Sequence, residues 1–251
     1  DSPFVVSSKT RIVCQSQGLA MGIGRDFADD TAEFHNVRLP VMALEEELAA
    51  NPGLTNCIVI GDVAGSQRIA EIAVKAGLKI TPTDPGQQGY TLVADSKRVL
   101  VIGSGEDQQG AFYGITSVMQ LLRREAGSRL IIPGCQIRDW PNAQVRGTYF
   151  QFNDHLRLAD DLKRIIGLYS MLRVNRIEHA RPRIHLESGN AQQLAAYHDL
   201  RGFLRRHYMT WTQPGNFWGR APRNRYADKN MTHIEKMDDE NDVMLIEKTN
   251  C

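Results

Sequence analysis

The stretch Gly110–His155 decides how this chain is read. It runs G-A-F-Y-G-I-T-S-V-M-Q-L-L over 110–122, then I-I-P-G-C-Q-I-R-D-W-P-N-A-Q-V-R-G-T-Y-F-Q-F-N-D-H over 131–155. Ala111, Ile115, Val118 and Leu122 recur at the spacing that lines one face of a helix, with Phe112 and Met119 beside them. Arg123, Arg124, Glu125 and Gly127 are expected to close that helix, since cations favour its negative C-terminal end. An extended connector containing a strand follows. Asp139-Trp140-Pro141-Asn142 breaks regular structure, and Val145 to Phe152 is rich in β-branched and aromatic residues, which predicts a strand. Two folding units meet here.

Upstream, short apolar runs alternate with helical spacing. Phe4–Val6 and Arg11–Cys14 read as strands around a Ser-Ser-Lys-Thr turn. Leu19, Ile23 and Phe27 suggest a helix over Gly18–Phe34, weakened by Gly22 and Gly24. A strand within Leu39–Leu44 and a short helix over Glu45–Ala50 come next, stopped by Asn51-Pro52-Gly53. Cys57–Ile60 is continuously apolar, the mark of a strand buried on both faces. Ser66 is placed to cap a helix that turns Ile69, Ile72, Ala73 and Ala76 inward and ends at Gly77. Tyr90–Val93 and Val99–Ile102 form a hairpin around Asp95-Ser96-Lys97-Arg98, and the Gly110 helix packs on that sheet. Residues 1–140 therefore read as an α/β sandwich.

Downstream, strand and helix alternate in larger units. Leu158, Leu162, Ile165, Tyr169 and Leu172 predict an amphipathic helix, Val174–His179 a strand, Leu194–Leu204 another helix, and Met209–Thr212 a third strand. That alternation argues for a parallel sheet or barrel over residues 141–218, though three strands do not close a barrel of eight. From Gly219 to Asp242 no apolar period runs, and 219–251 reads as loop or tail.

Composition narrows the function. With a formal net charge of +1, 42% hydrophobic and 24% charged residues, the chain gives no general basis for nucleic-acid binding and contains no membrane-length apolar run. Cys14, Cys57, Cys135 and Cys251 are far apart and form no metal or redox motif; buried free thiols are the simpler reading of Cys14 and Cys57. Gly103-Ser104-Gly105 lacks the later glycine and acid of a dinucleotide fingerprint. No cofactor is expected.

The helix G-A-F-Y-G…Q-L-L, the connector I-P…I-R-D-W-P and the opening Arg146-Gly147 resemble the family 20 glycoside hydrolases, the β-N-acetylhexosaminidases and their relatives, over roughly residues 1–215. The resemblance implies a small α/β support domain followed by a partial (β/α)8 TIM-type barrel, a carbohydrate substrate, and a periplasmic or extracellular location. In that family R-G is followed by Asp, Ser, Arg and His at fixed offsets; here those offsets carry Gln151, Asn153, Asp154 and His155, so the frame and the His agree while the other three differ.

Barrel enzymes place chemistry after the C-terminal ends of their strands. This nominates Gln151, Asn153 and His155, then Glu178, His179 and Arg181, then Gln213, Asn216 and Trp218. The resemblance assigns Arg146 to gripping sugar hydroxyls, for which a planar guanidinium suits; the competing reading pairs it to a carboxylate at the barrel floor. His155 matches the family His, or caps the loop before the next helix. Glu178 and His179 stand where the family has H-x-H after the strand's Asn, matched by Asn175; the chain continues E-H-A-R-P instead. Glu178 could serve as acid, base or hydroxyl ligand, or pair with Arg181 or Arg183. Trp218 is the better exposed candidate for stacking on a sugar, and Trp211 suits a core. The family's catalytic Asp-Glu pair has one faint echo, Asp239-Glu240, which an acidic surface run explains as well. Two functions compete: glycoside hydrolysis of N-acetylhexosamine-containing glycans, and a non-catalytic relative or fragment that binds glycan or a protein partner. A hydrolase of another family with the same two-domain opening is a third.

Overall fold

The structure is a computed structural model that describes residues 2–105, 107–125, 129–150, 159–179, 199–200 and 202–212. The chain divides into two compact units, Asp1–Gln144 and Val145–Cys251.

Unit 1 contains β1 (Phe4–Val6), β2 (Arg11–Cys14), α1 (Ala20–His35), β3 (Val41–Ala43), α2 (Leu44–Ala50), β4 (Cys57–Asp62), α3 (Gln67–Lys75), β5 (Tyr90–Ala94), β6 (Arg98–Gly103), α4 (Gln109–Leu121), β7 (Arg123–Arg124), β8 (Leu130–Ile132) and β9 (Cys135–Asp139). Its main sheet has six strands in the order β3-β2-β4-β6-β5-β9. The first four are parallel, and β5 runs antiparallel to β6 and β9. The strand pleat sorts the core into two layers. Val13, Val59, Leu100 and Ile102 join Leu44 of α2 and Ile69, Ile72 and Ala73 of α3. The alternate residues Ile12, Cys14 and Val101 meet α1 and α4: a Cβ on Gly24 would lie 2.4 Å from the Cys14 Sγ, and one on Gly114 the same distance from a Val101 methyl carbon. Gly24, which weakens the helix signal in the sequence, is what lets α1 lie close on the sheet. Covered on both faces, β4 is buried from end to end, as its apolar run requires.

Local chemistry fixes the element ends. The Ser66 hydroxyl accepts the Ile69 amide at 3.3 Å and starts α3. The Asp95 carboxylate accepts the Lys97 and Arg98 amides at 2.6 and 2.9 Å, folding the β5–β6 hairpin. The start of α1 is capped from far away in sequence: the Gln108 Oε1 accepts the Leu19 and Ala20 amides at 2.5 and 3.0 Å, and its Nε2 donates to the Gln17 carbonyl at 3.1 Å. Arg123 and Arg124 correct the expectation drawn from the sequence. They do not belong to the end of α4; the backbone turns extended at Leu122, and the two arginines form β7, paired antiparallel to β8. With β1 these make a second, three-stranded sheet, β1-β8-β7. Cys14 and Cys57 are buried free thiols, both pushed up to about 12 chiefly by burial.

Unit 2 contains β10 (Gly147–Phe150), α5 (Ala159–Met171), β11 (Arg176–His179) and β12 (Thr210–Thr212), with residues 199–200 and 202–206 also helical. The three strands are parallel in the order β10-β11-β12. Ile166, Ile177, Leu200, Leu204 and Met209 form their core, with Tyr169 and Phe203 packed alongside. The buried face of α5 is thus rotated from the expected stripe. Ile166 and Ser170 turn inward, while Leu172 is 65% exposed and Leu168 62%. The helix is apolar on two faces, so period alone could not choose between them.

Candidate functional site

The register of unit 2 brings together residues that lie far apart in sequence. Tyr149 stands beside Glu178, and Glu178 beside Thr212; one step further, Phe150 stands beside His179. These rows lie at the C-terminal ends of the strands. Ile177, the residue before Glu178, packs against the helices. In a parallel sheet backed by helices, the C-terminal edge is where a ligand meets the strands. Tyr149 and Thr212 escaped sequence reasoning because inter-strand register is not a local property of either strand.

Arg146 lies at the other end of β10. Its Nε donates to the Arg173 carbonyl at 2.7 Å, and its amide donates to the Asn175 Oδ1 at 2.8 Å. Arg173 sits in the left-handed turn that ends α5, with φ of 59°. A cation there complements the helix C-terminus. Of the other nominated residues, Gln151, Asn153, His155, Arg181, Gln213, Asn216, Trp218, Asp239 and Glu240 lie outside the described residues. Among the described residues no group of three or more His, Cys, Asp and Glu side chains is arranged to hold a metal ion, and no helix is long and apolar enough to cross a membrane.

Unit 1 has its own polar cluster at the C-terminal ends of its parallel strands. Gln15, after β2, is buried, and its Oε1 accepts the Asp62 amide at 3.0 Å. Asp62, ending β4, is fully buried; its carboxylate accepts the Gly65 amide, and burial holds its carboxyl above the usual carboxylate range. Ser104, after β6, donates to the Gly89 carbonyl at 3.2 Å. These groups tie the chain's own loops together.

Comparison with known proteins gives the context. The family model described as glycosyl hydrolase family 20, domain 2, matches residues 1–140. A beta-hexosaminidase of Porphyromonas gingivalis is 30% identical over 139 residues, which is 53% of this chain and 17% of that protein. The family 20 exo-β-N-acetylglucosaminidase of Vibrio harveyi, solved with N-acetylglucosamine, has a TM-score of 0.62 at 14% identity, over 86% of this chain and 34% of its own. The family 20 β-N-acetylhexosaminidase of Streptomyces coelicolor gives 0.60 at 16% identity, over 85% of this chain and 43% of its own. At these identities the two structures speak to the fold, which is α/β. The chain spans 17% of the length of the curated relative and less than half of the two solved proteins. With its first 140 residues matched to domain 2, the chain belongs to glycosyl hydrolase family 20.

Proposed function

We propose that this chain is part of an exo-acting β-N-acetylhexosaminidase-like glycoside hydrolase, in which unit 1 is the support domain and unit 2 begins a (β/α)8 barrel. The observation that carries the proposal is the run of three parallel strands after Arg146-Gly147, adjacent in chain order, with Glu178 at their C-terminal edge. Family membership and the family 20 names of the similar structures support a glycan substrate containing N-acetylhexosamine. The exposed Leu168 on α5 and Leu172 just beyond its end support a larger barrel, since no described residue covers them.

In this reading the substrate's 2-acetamido oxygen attacks the anomeric carbon while a carboxylic acid protonates the departing oxygen, and water then opens the cyclic intermediate with retention. Asp239-Glu240 is the pair in this chain available for orienting the acetamido group and giving the proton. Glu178 and His179 contact sugar hydroxyls, with His155 and Trp218 contributing from the loops. We further propose a periplasmic or extracellular location, which fractionation of the native host checks directly.

The test uses the full-length protein and a chromogenic N-acetyl-β-glucosaminide. Glu178→Gln is expected to lower kcat/KM by about 10- to 100-fold, the scale of a lost hydrogen bond to a charged group. Unchanged kinetics removes Glu178 from the site. Arg146→Ala separates two uses of that guanidinium: weaker substrate binding puts a sugar hydroxyl within its reach, and unchanged binding leaves it as the tie to Arg173.

A further inference from the structure

The strands of unit 2 are short, with four residues in β10 and β11 and three in β12. Ladders of that length specify their own register weakly, and a slip of one residue would exchange the two faces of a strand. The structure contains a device that removes this freedom. Asn175, just ahead of β11 and 9% exposed, meets Arg146 twice: its Oδ1 accepts the Arg146 amide at 2.8 Å, and its own amide donates to the Arg146 carbonyl at 3.0 Å. In a regular parallel ladder both partners of a residue are backbone groups flanking its opposite number. Here the side chain supplies the acceptor, and the ring it closes fits one alignment of β10 against β11. On the other side, the Asn175 carbonyl accepts both the Thr210 amide at 2.9 Å and the Thr210 hydroxyl at 3.1 Å. One residue therefore binds the feet of all three strands.

We infer that Asn175 is a positioning residue: a register clamp at the N-terminal ends of β10, β11 and β12 that sets which residues share the row of Glu178 at the opposite edge. An Asn suits the task because its carbonyl is short enough to stand in for a backbone acceptor while its amide and carbonyl stay in the ladder. Its consequence for substrate rests on the reading of Glu178 given above; the clamp itself does not.

The experiment measures amide hydrogen exchange residue by residue in the full-length protein that carries this chain, together with its affinity for N-acetylglucosamine. In Asn175→Ala the Arg146 amide is expected to exchange about tenfold faster, the size of one net hydrogen bond, while the Thr210 amide, whose acceptor is the backbone carbonyl of residue 175, and Thr91 in unit 1 keep their rates. Asn175→Asp keeps the acceptor and is expected to restore slow exchange at Arg146; a merely space-filling side chain would not discriminate between these variants. Exchange at Arg146 that ignores both substitutions overturns the clamp. Should the alanine variant not fold, the unmodified protein decides: a scalar coupling across the hydrogen bond from the Arg146 nitrogen to the Asn175 side-chain carbonyl is expected, and its absence beside measurable β10–β11 ladder couplings overturns the inference. Saccharide affinity that falls with Asn175→Ala and returns with Asn175→Asp supports the link to Glu178. A clamp detected by exchange without saccharide binding in any form defeats the hydrolase reading and leaves the clamp standing.

Discussion

At the C-terminal ends of β2, β4 and β6, unit 1 closes over itself with Gln15, Asp62 and Ser104, all buried, whereas in unit 2 the partly buried polar ties lie at the opposite ends, where Arg146, Asn175 and Thr210 join the feet of β10, β11 and β12. Both contain parallel strands with helices between them, β3-β2-β4-β6 in unit 1 and β10-β11-β12 in unit 2, and both therefore have the same edge at which such strands meet ligands. One spends that edge on its own loops. The other is stapled at the far end, which leaves its C-terminal rows to residues such as Tyr149, Glu178 and His179. The contrast fits the proposal that unit 1 supports and unit 2 faces substrate.

The cores differ in depth as well, and this sets the largest expected effect. Ile58, in the central strand β4, is completely buried, in a sheet covered on both faces. Ile58→Ala is expected to cost about 3–4 kcal/mol in urea unfolding, because little around it can collapse into the cavity. Ile177→Ala, in the smaller cluster of Ile166, Leu200, Leu204 and Met209, is expected to cost nearer 2 kcal/mol. Equal losses would erase the distinction between the two cores.

Gln108 in unit 1 sharpens the comparison with Asn175 in unit 2, since each uses an amide side chain as a substitute for backbone. Gln108→Ala leaves the Leu19 and Ala20 amides without their cap and is expected to destabilise unit 1 by about 1–3 kcal/mol, with faster exchange at those two amides. A neutral result would mean that water replaces the cap at no cost, and that the two amides are not equivalent devices.

These side chains also show where sequence reasoning stops. Ser66, the Asp95 turn and the apolar run of β4 act within a few residues, and their elements are where the sequence puts them. Gln108 acts across nearly ninety residues, and Gly24 shapes a contact with Cys14 that no helix-propensity argument contains. Arg123 and Arg124 carry a helix-terminating charge pattern, yet pairing with β8 claims them. At the candidate site, Glu178 and His179 could be nominated because strand ends are legible; the row they share with Tyr149 and Thr212 could not, because register is a property of pairs. The α5 face was illegible for a different reason: both sides of the helix are apolar, and the choice between them is tertiary.

The outward faces of α1 and α5 carry the comparison to its finest scale. Where α5 exposes leucines, α1 carries Asp26, Asp29, Asp30 and Glu33 in one stripe. Burial first, and then the neighbouring Asp26, Glu33 and Asp29 carboxylates, push the Asp30 carboxyl up to about 6. The folded chain therefore holds this proton more tightly than the unfolded one, whose aspartate titrates near 3.8. The stability that this protonated group confers is complete below about 4 and is lost as the pH rises through about 6. Asp30→Asn stays neutral throughout, so the variant should match the parent near pH 3.5 and become progressively the more stable of the two by pH 7.5. Taking the difference in urea midpoint between them cancels His35, whose ring burial and Arg124 pull down, and the other carboxylates common to both. A difference that does not widen with pH would mean that water reaches Asp30 freely, and that the acidic face of α1 is as solvated as the apolar face of α5 is bare.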